Sequence, residues 1–158
     1  MTTISSSGWV IFSIDEQRYG LPCALVKRIV RTVEITAVPN MPAGVLGLIN
    51  VQGQIILVID IRQRLGLPSL PYELQDALII TESGQQNIGF IVKAATYVEN
   101  FETSLTPVEK LIKGVECAEH IVKDKEGMIY ILNLEKLLNK QDESLLQKNK
   151  NIQKESNA

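Results

Sequence analysis

The chain has 158 residues and a formal charge of −2, enough for one ordinary domain or two small lobes sharing a core. With an isoelectric point near 5.5 it carries no global field that would collect phosphates, which disfavours nucleic acid and anionic membrane surfaces as partners. Nineteen Ile and thirteen Val against three Phe and one Trp favour pleated, half-buried surface. Branching at Cβ costs rotamer freedom in a helix and packs well on a sheet. The opening MTTISSSGWVIFSI lacks a basic region ahead of a long apolar core. No later run approaches the roughly 18 apolar residues that span a bilayer. The expectation is a cytoplasmic, mostly β protein without direct membrane insertion. Residues 1–7 are expected to be flexible.

In chain order, WVIFSI (Trp9 to Ile14) predicts a first strand, and after an Asp15-Glu16-Gln17 turn YGLP begins a second. ALVKRIV, Ala24 to Val30, has helical spacing at 25, 26, 29 and 30 but spans only one or two turns, so helix and strand both stay open. PNMPAG (39–44) is a proline-punctuated loop. VLGLINV and QIILVIDI then form two strands around Asn50-Val51-Gln52-Gly53, a hairpin with a glycine at its bend. Arg62 to Leu65 predicts a short helical turn closed by Gly66, followed by the surface connection LPSLPYELQ. DALIITESGQQNIGFIVKAATYV reads as strand, turn, strand, and KDKEGMIYILNL as a last buried strand entering a helix at LEKLL. Apolar positions 134, 137, 138, 145 and 146 extend that helix to about Gln147. The polar end of the chain, residues 149–158, is expected to fray.

Two stretches recur. Ile56 to Ile61 aligns with Ile129 to Leu134, 73 positions later, and Tyr19-Gly20-Leu21 with Ile88-Gly89-Phe90, 69 later. Such a repeat predicts two small barrels of about five short strands each, over roughly 15–70 and 76–139, with the N-terminal strand free to cross over. Closure would remove exposed strand edges, and the crevice between the lobes is the natural binding place.

No reaction chemistry is evident. The sole histidine, His120, falls in VECAEHIV, where alternation shares its face with Ala118 and Val122, and no nucleophile signature accompanies it. One His and two separated cysteines, Cys23 and Cys117, do not supply a zinc site, and both thiols read as small reduced hydrophobes. Neither a Gly-x-x-x-x-Gly-Lys nor a Gly-x-Gly-x-x-Gly loop occurs, so no cofactor or metal is expected. Asp60, beside Arg62 and Arg64, is better explained as a helix N-cap than as a catalytic carboxylate. Arg18, Lys27, Arg28 and Arg31 form one basic cluster with no interleaved aromatics, which suits a solvated face better than a strand-binding groove.

Val45 to Leu67, VLGLINVQGQIILVIDIRQRLGL, closely resembles the signature of CheW-like domains, V-x-G-x-x-N-x-R-G-x-x-x-P-V-x-D-L-R-x-x-L-G. Gly47, Asn50, Gly53, Asp60, Arg62, Leu65 and Gly66 all match. The likeness spans roughly residues 8–139 and takes in YGLP and ALVKRIV.

The resemblance implies two SH3-like five-stranded barrels and a non-catalytic adaptor. In the family it couples chemoreceptors to a CheA-type histidine kinase, whose regulatory domain shares the fold, and the receptor's cytoplasmic tip docks between the barrels. Carried onto this chain, it makes Val26, Arg28, Val30, Gly47, Asn50, Gln52 and Gly53 partner-binding candidates and Asp60, Arg62 and Gly66 structural ones. Weak self-association belongs to the same expectation. Three positions depart: Gln52 stands for the usual Arg, Arg28 for a usual acidic residue, and Leu57 for a proline, read as a neutral change on an edge. If positions 28 and 52 face each other, an Arg at both would repel, so the two changes compensate. The rival readings are a small-molecule-binding β-barrel using Asp60 and Arg62 in the crevice, and a nucleic-acid-binding SH3-like or OB-like module.

Overall fold

A computed structural model describes residues 8–83, 86–98, 106–107 and 117–138. Eleven strands carry the fold: β1 (Trp9–Ile14), β2 (Gln17–Pro22), β3 (Val26–Arg31), β4 (Val45–Val51), β5 (Gln54–Ile59), β6 (Ala77–Ser83), β7 (Gln86–Val92), β8 (Ala95–Val98), β9 (Thr106–Pro107), β10 (Ala118–Asp124) and β11 (Gly127–Leu132). Among the described residues two short helices, α1 (Ile61–Arg64) and α2 (Leu134–Leu137), follow β5 and β11. One sheet has the order β8-β1-β2-β11-β10-β9, the other β3-β6-β7-β5-β4. The fold is mostly β and SH3-like, but among the described residues neither sheet closes on itself. Edges remain at β8, β9, β3 and β4. The closure expected from the sequence is therefore corrected. Lys27 and Arg31 on β3 are exposed, the usual way an open edge is kept from pairing with another chain.

The internal repeat is visible in the pairing. β5 lies parallel to β7 with Val58 opposite Gly89, and β11 lies parallel to β2 with Ile131 opposite Gly20. Each glycine faces a crowded strand: a Cβ on Gly20 would sit 2.9 Å from Ile11 and Ile131, and one on Gly89 3.0 Å from Leu78. The lobes are nevertheless not the consecutive segments 15–70 and 76–139. The hairpin β1-β2 pairs with β8 and β11, whereas β6-β7 pairs with β3 and β5. Each repeat thus lends its first hairpin to the other's sheet. Only Cys23–Leu25, a single 3-10 turn, separates β2 from β3, and Pro22 has no N–H to continue the ladder. The chain passes into the second sheet instead of folding back.

The exchange explains why the apolar runs are continuous rather than alternating. In β5, Leu57 and Ile59 enter a core shared by both sheets, while Ile56 and Val58 fill a smaller core within their own sheet. In β1, Val10, Phe12 and Ile14 enter the shared core and Ile11 its own lobe's interior. Strands buried on both faces read as unbroken hydrophobic stretches. Phe12 of β1 and Phe90 of β7 meet across the sheets with ring centroids 5.8 Å apart, and Phe12 stacks on Tyr19 at 6.0 Å.

Other expectations are resolved or corrected. The segment 24–30 is a 3-10 turn and then β3, as β-branched Val26, Ile29 and Val30 favour. Leu57 is no edge residue: β5 runs between β7 and β4 and Leu57 is fully buried. A bulge between Ala118 and His120 breaks the alternation in β10, so Ala118 enters the shared core and Val122 the lobe interior. Cys23 is buried and Cys117 partly so, and neither is in a disulfide. Burial pushes the Cys23 thiol up. The helix expected to run unbroken to Gln147 is corrected: it ends at Leu137, where Leu138 turns to extended backbone (φ −90°, ψ 155°), and Leu134, Leu137 and Leu138 lie in the shared core; residues 139–147 fall outside the described residues.

Arg18 is separated from the rest of the basic cluster. It donates to both carboxylate oxygens of Asp124, Nη1 at 2.7 Å, and so ties β2 to the β10-β11 turn. The guanidinium, with the Glu126 and Gly127 amides adding to it, holds the Asp124 carboxyl down at about 2. The folded-state value lies below the ordinary 3.8, so the pair's stabilisation is present above that ordinary value and is lost as pH falls through about 2. Acid unfolding followed by circular dichroism should show wild type losing stability faster than D124N across that window. Equal slopes would mean the pair contributes nothing.

Candidate partner-binding surface

The β4-β5 hairpin turns through Gln52 and Gly53, both at positive φ (52° and 83°), the two-residue turn whose twist matches the strands it joins. Asn50 Oδ1 accepts from the Gly53 amide at 2.9 Å, locking the turn from within. Across it stands β3, where Arg28 Nη1 donates to Gln52 Oε1 at 2.8 Å. Positions 28 and 52 therefore do face each other, joined by a charged donor and a neutral acceptor. Beside them Gln54 Oε1 accepts from Asn87 Nδ2 at 3.3 Å and Lys27 Nζ at 3.5 Å. Gln54 and Asn87 were not signalled by any motif, and only the meeting of β3, β5 and β7 places them here.

Not every candidate shares that surface. Val26 is 7% exposed in the shared core and Val30 packs on the smaller core of its own sheet. Gly47 is buried beneath residues 35–36: a Cβ there would lie 2.3 Å from the Thr36 carbonyl oxygen. Val26 and Gly47 shape the surface from beneath rather than present themselves to a partner. Arg28, Asn50, Gln52 and Gly53 remain as its outward members.

Asp60, Arg62 and Gly66 form a joint between the lobes. Asp60 caps α1, accepting from the Gln63 amide at 3.3 Å and from the Ser69 hydroxyl. Arg62 holds both carboxylate oxygens of Asp15 at 2.8 Å and the Pro68 carbonyl at 2.7 Å, clamping the borrowed β1-β2 hairpin onto the other lobe. That contact lowers the Asp15 carboxyl and raises the Arg62 guanidinium. Gly66, at φ +80°, ends the turn, and the Leu67 amide donates back to the Arg62 carbonyl at 2.8 Å. Asn133, 73 positions after Asp60, caps α2 in the same way, accepting from the Glu135 and Lys136 amides.

Among the described residues crevices open between the sheets. One, of about 140 Å³, runs beside Asp15, Asp60 and Arg62. Another, of about 370 Å³, has Leu25, Leu132 and Leu134 in its lining and Glu82, Glu119 and Glu135 among its polar residues. A larger cavity of about 770 Å³ lies within one lobe, lined by Ile11, Val98, Val122 and Ile129 and rimmed by Arg18 and Asp124. His120 is partly exposed with Glu119 3.8 Å from its Nδ1. Among the described residues no three His, Cys, Asp or Glu side chains are grouped to hold a metal, and no helix is long and apolar enough to cross a membrane.

Residues 8–142 match the family model described as a CheW-like domain. The chemotaxis protein CheW of Bacillus subtilis (strain 168) is 30% identical over 139 residues, covering 84% of this chain and 86% of that protein. The chemotaxis protein CheW of Helicobacter pylori (strain ATCC 700392 / 26695) is 27% identical over 131 residues, covering 82% and 79%. The crystal structure of the scaffolding protein TtCheW from Thermoanaerobacter tengcongensis aligns with a TM-score of 0.73 at 32% identity, over 84% of this chain and 92% of that one.

Proposed function

The chain belongs to the CheW-like domain family, and from that premise we propose that it is a non-catalytic chemotaxis adaptor coupling chemoreceptors to a CheA-type histidine kinase. The observation that carries the reading is the 370 Å³ inter-lobe groove, which offers Leu25 over a floor of buried Leu132 and Leu134 and is rimmed by Glu82, Glu119, Asn133 and Glu135. An amphipathic helix lays its apolar face into such a groove while polar rims set its register. The companion crevice is bridged by the Arg62 and Asp15 pair, so the receptor's helical tip takes the leucine-lined one. The kinase's regulatory domain takes a separate face of the lobes, and weak self-association uses the same open edges.

The small-molecule reading loses its polar groups. Asp60 is engaged by Gln63 and Ser69, Arg62 by Asp15 and Pro68, and 140 Å³ falls below the roughly 300 Å³ at which ligand sites begin. The 770 Å³ cavity is large enough for a metabolite, and a ligand there would raise the melting temperature in a thermal-shift screen.

The direct experiment reconstitutes the full chain with the CheA-type kinase and receptor-bearing membranes of the same cell. Kinase autophosphorylation should depend on receptor only when the chain is present, and L25D should release receptor while retaining kinase. Failure of the wild-type chain to co-sediment with either partner would overturn the proposal.

A further inference from the structure

Among the described residues two buried side-chain polar atoms lack a hydrogen-bond partner, Arg28 Nε and Asn87 Oδ1. Both belong to the surface around the Gln52 turn, since Asn87 reaches Gln54 and Arg28 reaches Gln52. A buried polar atom left unbonded costs more than an average hydrogen bond returns; here one donor, Arg28 Nε, and one acceptor, Asn87 Oδ1, are left so, and only the donor can meet an anion. The guanidinium has one arm engaged: Nη1 meets Gln52 Oε1, and the Nε and Nη2 edge is unused. That edge is the side-on fork that matches the two oxygens of a carboxylate.

The surrounding charge has the same sense. Lys27 and Arg28 meet only the neutral amides of Gln54 and Gln52, and among the described residues Lys27, Arg28 and Arg31 take part in no ion pair. Three cations on one edge strand make a local positive patch that favours an acidic residue beside β3, while Glu82, Glu119 and Glu135 line the groove next to Leu25.

We infer that Arg28, held by Gln52, is a specificity-determining residue that reads a carboxylate side chain on the docking polypeptide. The inference rests on the adaptor reading and deepens it: the partner helix carries an acidic residue where it passes β3. Gln52 holds the other arm without neutralising it, which an acidic residue at 52 would do. A nucleic acid is the less suited anion, because no aromatic side chain interleaves Lys27, Arg28 and Arg31.

The test titrates the isotope-labelled full chain with two short amphipathic helical peptides of identical apolar spacing, one bearing glutamate and the other lysine at a single polar position. The glutamate peptide should bind about tenfold more tightly, the worth of one charge-assisted bond at a partly exposed site. It alone should shift the Arg28 Nε–H resonance. R28E should reverse the preference and R28Q abolish it. Equal binding of both peptides, with shifts confined to residues around Leu25 and Leu134, overturns the inference and leaves the adaptor reading standing. Binding of neither peptide overturns the helical-partner reading, and this inference with it. An equal Arg28 shift with a thymidine oligonucleotide of matched charge overturns the selectivity for carboxylate.

Discussion

Replacing Gly47 by alanine is expected to cost the fold roughly 3 kcal/mol, combining backbone strain with overpacking. Gly47 sits at φ +151°, and an added Cβ would lie 2.3 Å from the Thr36 carbonyl oxygen and 2.8 Å from Ile35 Cγ2. The backbone cannot retreat, because Thr36 and Leu48 exchange two hydrogen bonds of 2.9 Å directly beside it. Gly53 provides the contrast. It too has positive φ, +83°, but nothing lies within 4 Å of its Cβ position, so G53A should cost only about 1 kcal/mol. Chemical denaturation of the two variants measures the difference as midpoint shifts at unchanged slope. Similar losses would show that conformation alone governs both sites and that Thr36 moves aside.

Phe90→Ala should be larger still, about 3–5 kcal/mol. Phe90 is fully buried and meets Phe12 from the other sheet. Its cavity would open in the core that both lobes share. The consequence that distinguishes this fold from two tethered barrels is cooperativity: wild type and F90A should each unfold in one transition seen alike by near-ultraviolet and far-ultraviolet circular dichroism. Two transitions in F90A, one retaining wild-type stability, would mean that the small cores within each lobe suffice on their own.

The residues that the resemblance singled out met different fates for physical reasons. That positions 28 and 52 compensate each other was readable as a condition, because the two departures from the family pattern occur as a pair and an Arg at both would repel, whereas the hydrogen bond that joins Arg28 to Gln52 is visible only in the fold. The Asp60 cap was legible because capping is local, acting within three residues. The clamps between Arg62 and Asp15 and between Arg18 and Asp124 were invisible: their partners lie 47 and 106 positions apart, and nothing in either segment's pattern names the other. Arg18 looked like a neighbour of Lys27, Arg28 and Arg31 because it is close in sequence, yet β2 and β3 enter different sheets.

By itself the sequence determined the strand content, the tight turns, the helix caps and a twofold repeat, since each depends on side-chain branching, glycine or short-range hydrogen bonding along the chain. Tertiary structure alone decided that the first hairpins of the two repeats trade places, that among the described residues the sheets stay open, and that Val26 and Gly47 turn inward while Arg28 keeps an unused donor. Hydrophobic period records which face of a strand is buried. It carries no information about which strand lies alongside, because every apolar face is satisfied equally by any partner that excludes water, and the choice falls to connection length and packing of the whole.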